Sequence, residues 1–215
     1  MSAVMLPELE TLVAAAGVTR GRPEVPPLAA DEFYRLTVAQ YHEMIENSIL
    51  GEGEKVELLD GILVKMMSRN HDHDYGIQAL LQLLFKALPD AWGIRPQCAI
   101  TLAASEPEPD YAVVRGPATN YRTHHPTPGE IGLVIEVADS SLRRDQRLKA
   151  AIYAEAGLPV YWIVNLADRV VEVYTRPNAA ERRYEDRADI PVGETIPLVL
   201  DGAEVARLPV GEFMP

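Results

Sequence analysis

Glu136 sits inside Leu133-Val134-Ile135-Glu136-Val137, where apolar residues run on instead of alternating, the pattern of a strand covered on both faces. An ionised carboxylate in such a strand is costly unless a cation meets it. The segment that follows offers one. A helix is predicted from about Leu142 to Ala156, opened by Ser140 or Ser141 and closed by Gly157 with Pro159 beyond. At about 100° per residue, Ile152, Ala156 and Ala151 define its inward arc around Leu148. Asp145 and Lys149 fall within or beside that arc, while Arg147 and Ala150 point away. A second acid, Asp110, ends "EPEPD" just before a strand predicted at Tyr111 to Val114. Two acids on neighbouring strands and an inward lysine could carry metal-assisted phosphodiester hydrolysis. Mg²⁺ takes one or two carboxylates and keeps several waters, and a lysine can orient water or share the charge on the phosphate. Each residue also has a plainer use. Asp110 suits a strand-entry turn, and Lys149 could pass the core edge and pair with Asp145 at i,i+4.

The elements that must position these residues are legible along the chain. Residues 1 to 30, with "GRPEVPPLAADE" after a weakly helical start, read as an arm or linker, and residues 31 to 215 as a single domain. Thr37 with Gln40 forms a capping box ahead of Val38, Tyr41 and Ile45 at helical spacing. "VELLDGILVKMM" reads as a hairpin about Asp60-Gly61. An amphipathic helix is predicted from Asp74 to Leu88, stopped by Pro89. "IRPQCAITLA" and "YAVVRG" read as strands, residues 116 to 130 as a surface loop, "VYWIVNL" and "RVVEVYTR" as strands, and the tail beyond Arg176 as turns with short strand-like pieces. This order predicts an α/β fold with a mixed central sheet flanked by helices, and a right-handed crossover with parallel strands over residues 131 to 166.

Composition bounds the function. One cysteine among 215 residues excludes an intramolecular disulfide framework, and no apolar run is long enough for a membrane span, so the expected compartment is the cytoplasm. The balance of 20 basic to 32 acidic residues, net −12, argues against a protein that coats nucleic acid non-specifically. It leaves room for a nucleic-acid enzyme with a local basic patch.

"LTVAQYHEMIE", "VELLDGILVKM", "EPDYAVV", "LVIEVADSS" and above all "DQRLKAAIYAEAGLPVYWIV" resemble the Uma-type restriction endonuclease family of the PD-(D/E)XK nuclease superfamily, over about Leu36 to Arg176. The resemblance implies a restriction endonuclease-like fold and Mg²⁺-dependent (or Mn²⁺-dependent) cleavage of DNA. It maps the first acid to Asp110 and the second to Glu136. Where the superfamily motif places lysine, two residues after Glu136, this chain has Ala138; the resemblance moves that role to Lys149. It further implies Glu57 as a supporting acid, Val137 as a backbone-carbonyl ligand, and His71 as a group near the substrate. The plainer uses are a solvent-facing charge for Glu57 and helix capping for "HDHD", residues 71 to 74.

Arg143 and Arg144 at the start of the Lys149 helix, and Arg115 at the end of the Asp110 strand, are candidates for contact with the DNA backbone. Homodimerisation through the helix at 74 to 88 or through the arm is a further expectation. The competing readings are a nuclease fold without activity, in which Glu136 and Lys149 form a buried ion pair, and a metal-dependent hydrolase of a small phosphate ester.

Overall fold

The computed structural model describes residues 33–51, 53–67 and 70–215; the arm expected at residues 1 to 30 lies outside them. Helix α1 (Val38–Glu46) starts at the expected capping box, in which Thr37 Oγ1 accepts from the Gln40 backbone and the Gln40 side chain accepts from Thr37 N–H. Strands β1 (Val56–Leu59) and β2 (Ile62–Lys65) form the expected hairpin. Asp60 and Gly61 both take positive φ, 51° and 76°, as a two-residue turn between twisted strands requires.

Six strands make the central sheet. They are β3 (Trp92–Pro96), β4 (Tyr111–Arg115), β5 (Ile131–Ala138), β6 (Val160–Asn165), β7 (Val170–Asn178) and β8 (Arg183–Pro191), hydrogen-bonded in that order. Every pair is antiparallel except β5 with β6, which are parallel as expected, so the sheet is mixed. The connection between the parallel strands is a helix, α3, spanning residues 142–155 in three pieces: Leu142–Arg144, a π-helical turn Asp145–Lys149, and Ala150–Glu155.

All eight residues of β5 are buried, because both faces of the sheet are covered. Leu133, Ile135 and Val137 pack with Leu80 and Leu84 of helix α2 (His71–Ala87) and with Ile196, Leu198 and Leu208 of a separate hairpin, β9 (Thr195–Leu200) with β10 (Ala203–Pro209). Val134 and Ala138 pack on the other face with Ile152 and Tyr153 of α3 and Leu59 of β1. Each fully buried aliphatic side chain contributes about 1.5–3 kcal/mol of transfer free energy, which anchors β5 in the core.

Three expectations are corrected. First, α2 begins at His71, with Asn70 as the cap that accepts from His73 N–H, so "HDHD" is the first turn of the helix and not its approach. Second, "IRPQCAITLA" is strand only as far as Pro96. Gln97 takes φ 51°, and Ile100 and Leu102 then bury into the α3-side core from irregular backbone whose N–H groups bond to Pro107 and Ser105 carbonyls. Third, the tail is far more regular than its turn-rich sequence implies. β8 is nine residues long, but its face is mostly exposed and charged, which erases the alternation a strand normally shows.

Candidate active site

Register puts the two acids together. In the antiparallel pairing of β4 with β5, Tyr111 stands opposite Ile135 and Ala112 opposite Val134. Continuing by one residue sets Asp110 across from Glu136, on the same face, since opposed residues in a ladder point the same way. The carboxylate of Asp110 accepts from Val137 N–H at 2.8 Å, which ties it to β5. That face is the one α3 covers.

Lys149 meets Glu136 there. Its Nζ lies 2.9 Å from Glu136 Oε1 and 3.1 Å from Glu57 Oε2. Glu57 reaches this point because β1 alternates: Glu57 shares a face with Leu59, which is part of the α3-side core. The hydroxyl of Tyr153 donates to Glu136 Oε1 at 2.8 Å. Exposure falls to 7% at Asp110, 5% at Glu136, 3% at Lys149 and 1% at Glu57 and Asp145, so water does little to screen these charges.

Asp145, Lys149 and Tyr153, four residues apart, share one buried face, as helical spacing predicts. The segment Asp145–Lys149 is a π-helical turn, and Ala150 after it is buried rather than pointing away. The expected i,i+4 pairing of Asp145 with Lys149 is replaced by the pairs to Glu136 and Glu57. Asp145 Oδ1 is buried without a hydrogen-bond partner.

These groups line one cavity of about 360 Å³, together with Met66, Met67, Asn70, His73, Asp139 and Arg144. Its electrostatics follow from the surplus of acids. Burial, and then the charges of Asp145, Asp110 and Glu57, push the Glu136 carboxyl up to about 8 despite the opposing effect of Lys149. Burial also raises Asp145. Burial alone would lower the Lys149 amine, but Glu136, Glu57 and Asp145 override it and hold the amine above its ordinary value. Lys149 therefore remains an ammonium, able to donate hydrogen bonds and share negative charge but not to take a proton.

The structure thus gathers Asp110, Glu136, Val137, Lys149, Glu57 and Arg144 around one cavity. Three candidates lie outside it. His71 is exposed at the first position of α2, and the histidine that lines the cavity is His73, with Nε2 3.4 Å from Asp110 Oδ2. The early start of α2 decides this, since it turns position 73 toward the sheet. Arg115 ends β4 at the opposite end from Asp110, where it pairs bidentately with Asp201 and covers the Trp92 ring. Arg143 is exposed beside the cavity. His73 was read only within "HDHD", as part of a helix cap, and Tyr153 went unread in the sequence. Tyr153 sits four residues after Lys149, a spacing that would have flagged it, but a tyrosine on a buried face reads first as packing.

The donor set is oxygen-rich: Asp110, Glu136, the Asp145 oxygen without a partner, and backbone carbonyls at the strand end. That suits a hard divalent cation. Among the described residues, no three His, Cys, Asp or Glu side chains gather tightly enough to enclose an ion unaided. Two carboxylates completed by water is the composition this cavity could offer. No helix among the described residues is long and apolar enough to cross a membrane.

Comparison with known proteins bears on the fold and the family. A crystal structure of a putative nuclease of the DUF820 group from Anabaena variabilis superposes with a TM-score of 0.59 at 16% identity, covering 79% of this chain and 96% of that one. Among curated proteins none matches the sequence. The family model described as "Putative restriction endonuclease" matches residues 38–209, which include every element from α1 to β10, and the chain accordingly belongs to the Uma2 family of that description.

Proposed function

We propose that this protein is a Mg²⁺-dependent endonuclease that hydrolyses DNA phosphodiester bonds, with Mn²⁺ as an alternative ion. The observation that carries the reading is the convergence of Asp110, Glu136 and Lys149, from two strands and a helix, on one cavity. Family membership and the nuclease-like fold support the reaction class.

In this reading Asp110 and Glu136 hold the ion, with the Val137 carbonyl as a further ligand. A divalent ion there supplies Lewis-acid chemistry, polarising a phosphate and acidifying water. Lys149, fixed as an ammonium, orients the attacking water and shares the charge that grows on the phosphate. Glu57 also holds Lys149, at 3.1 Å. Tyr153 fixes the Glu136 carboxylate, and the backbone N–H of Val137 fixes Asp110. His73 borders Asp110 where a substrate phosphate would enter. The enzyme would act in the cytoplasm, and pairing into a homodimer would bring two such cavities to a duplex.

The test is cleavage of plasmid DNA with Mg²⁺ by the wild type and by Glu136→Ala and Lys149→Ala. The reading requires nicking or linearisation by the wild type and its loss in both variants. A second reading, a nuclease fold kept as a binding module, is favoured by one feature: Lys149, Glu57, Glu136 and Tyr153 satisfy one another without any ion. Calorimetric titration that detects no Mg²⁺ or Mn²⁺ binding would select it.

A further inference from the structure

A second cavity, about 420 Å³ and open to solvent, adjoins the acidic one and shares Met67, Ser140, Ser141 and Arg144 with it. Its remaining lining is Arg143, Arg147 and Leu148. The two compartments are opposite in character. Carboxylates dominate the first, whereas the second is lined by three arginines and two serines, with no acid among its described lining residues.

The pairing of the arginines sharpens this contrast. In a chain with 32 acids to 20 basic residues, most of the described arginines find a side-chain carboxylate, though Arg95, Arg122 and Arg169 do not. Arg115 pairs with Asp201, Arg176 with Asp186, Arg182 with Glu155, Arg183 with Glu181, Arg187 with Asp189 and Arg207 with Glu204. Arg143 and Arg147 are exposed, four residues apart on α3, and make no ion pair or hydrogen bond among the described residues. Arg144, between them, is committed: it donates to the Lys65 carbonyl at 2.9 Å and lies 3.9 Å from Glu57 Oε1, forming the wall common to both compartments.

Two uncommitted guanidinium groups and two hydroxyls in one groove are the donor set that binds a phosphodiester. The groove opens directly onto the cavity that would hold a scissile phosphate. Met67 and Leu148 add an apolar edge suited to a sugar face.

We infer that this groove is a subsite for the phosphate next to the one cleaved, held by Arg143 and Arg147 with Ser140 and Ser141. The substrate is therefore a polynucleotide strand rather than a small phosphate ester. The inference rests on the nuclease reading of the neighbouring cavity and adds the requirement for a second phosphate.

The test uses the full chain and the double variant Arg143→Gln/Arg147→Gln, with Arg176→Gln/Arg183→Gln as a control of equal charge change. Both pairs are exposed, and circular dichroism verifies that each variant folds. Binding of a fluorescein-labelled 20-base-pair DNA duplex is followed by anisotropy across a salt series, with Ca²⁺ and separately with EDTA. Hydrolysis of bis(p-nitrophenyl) phosphate, which carries a single phosphate, is measured in parallel with Mg²⁺. The expected result is binding about tenfold or more weaker in the groove variant, with the slope of log K against log salt reduced by about 1 to 2. The control should bind as the wild type does, and the single-phosphate substrate should be turned over equally by all three proteins. Wild-type affinity in the groove variant, or an equal loss in the control, would overturn the subsite while leaving the nuclease reading intact. A wild type that neither binds the duplex nor hydrolyses either ester would overturn both.

Discussion

The ammonium of Lys149 lies 2.9 Å from Glu136 Oε1 although α3 and β5 bring them from different layers of the fold. Both are almost wholly buried, and Glu57 also pairs with the ammonium, at 3.1 Å. Removing the lysine would leave two buried acids without their cation. Breaking such a pair by losing one partner costs about 3–5 kcal/mol. Lys149→Ala is therefore expected to lower unfolding free energy by about that amount in urea titrations, in addition to abolishing cleavage. If these acids also face a divalent ion, Mg²⁺ should restore part of the lost stability in this variant and less in Lys149→Ala/Glu136→Gln.

Tyr153 tests positioning apart from charge. Tyr153→Phe keeps the ring that packs against Tyr161 but removes the hydroxyl donor to Glu136. A hydrogen bond is worth about 0.5–1.5 kcal/mol to a neutral acceptor and about 1.5–3 kcal/mol to a charged one, so the cost grows once Glu136 ionises at about pH 8. The variant should unfold at lower urea by about that margin. Its metal titration should require a higher pH, because the carboxylate has lost a donor that stabilises its ionised form.

The pH dependence has a definite sign. Glu136 titrates at about 8 in the folded chain, above its ordinary value of 4.5, so the folded state holds a proton that the unfolded state has released. Its contribution to stability is present below pH 4.5 and is lost as pH rises toward 8. Asp145, also raised by burial, acts in the same direction. Without metal, stability should decline over that window. A ligating carboxylate must be ionised, so Mg²⁺ affinity should rise with pH up to about 8 and level off above it. Thermal melts at a series of pH values, with and without Mg²⁺, check both slopes. A Mg²⁺-induced rise in Tm that is flat between pH 6 and 9 would count against Glu136 as a ligand.

His73 and His71 should separate cleanly. His73 lines the cavity beside Asp110, and His71 is exposed outside it. His73→Ala is expected to reduce DNA cleavage about tenfold or more, and His71→Ala should leave it within twofold of the wild type. Initial nicking rates at saturating Mg²⁺ are the measurement.

Gly132 controls how closely the sheet is covered near the far end of β5. A Cβ there would lie 2.6 Å and 2.7 Å from ring atoms of Trp92 and 2.9 Å from Leu200 Cδ2. Overpacking a filled core costs about 1–3 kcal/mol. Gly132→Ala should show that loss in urea unfolding while metal binding stays unchanged, since Gly132 and Glu136 lie at opposite ends of the strand.

Much of this architecture is written in local pattern. The capping box at Thr37, the Asp60-Gly61 turn, the unbroken apolar run around Glu136 and the Gly157 stop are short-range signals, and each marks an observed element. The inward direction of Lys149 was also legible, because helical periodicity needs only the residue's own neighbours. What local pattern could not supply was the partner each charge would find. Glu57, Glu136 and Lys149 meet through pairing register and layer packing, which depend on residues far apart along the chain. Which histidine faces the cavity was likewise decided by where α2 begins and how it lies on the sheet, and Arg115 was lost to Asp201 by a hairpin that gave almost no strand signal. Sequence by itself determined which residue types were available and which way most of them would face. Tertiary structure alone decided which of them meet, because an ion pair is a matter of ångströms between side chains, and chain periodicity carries no information about that distance.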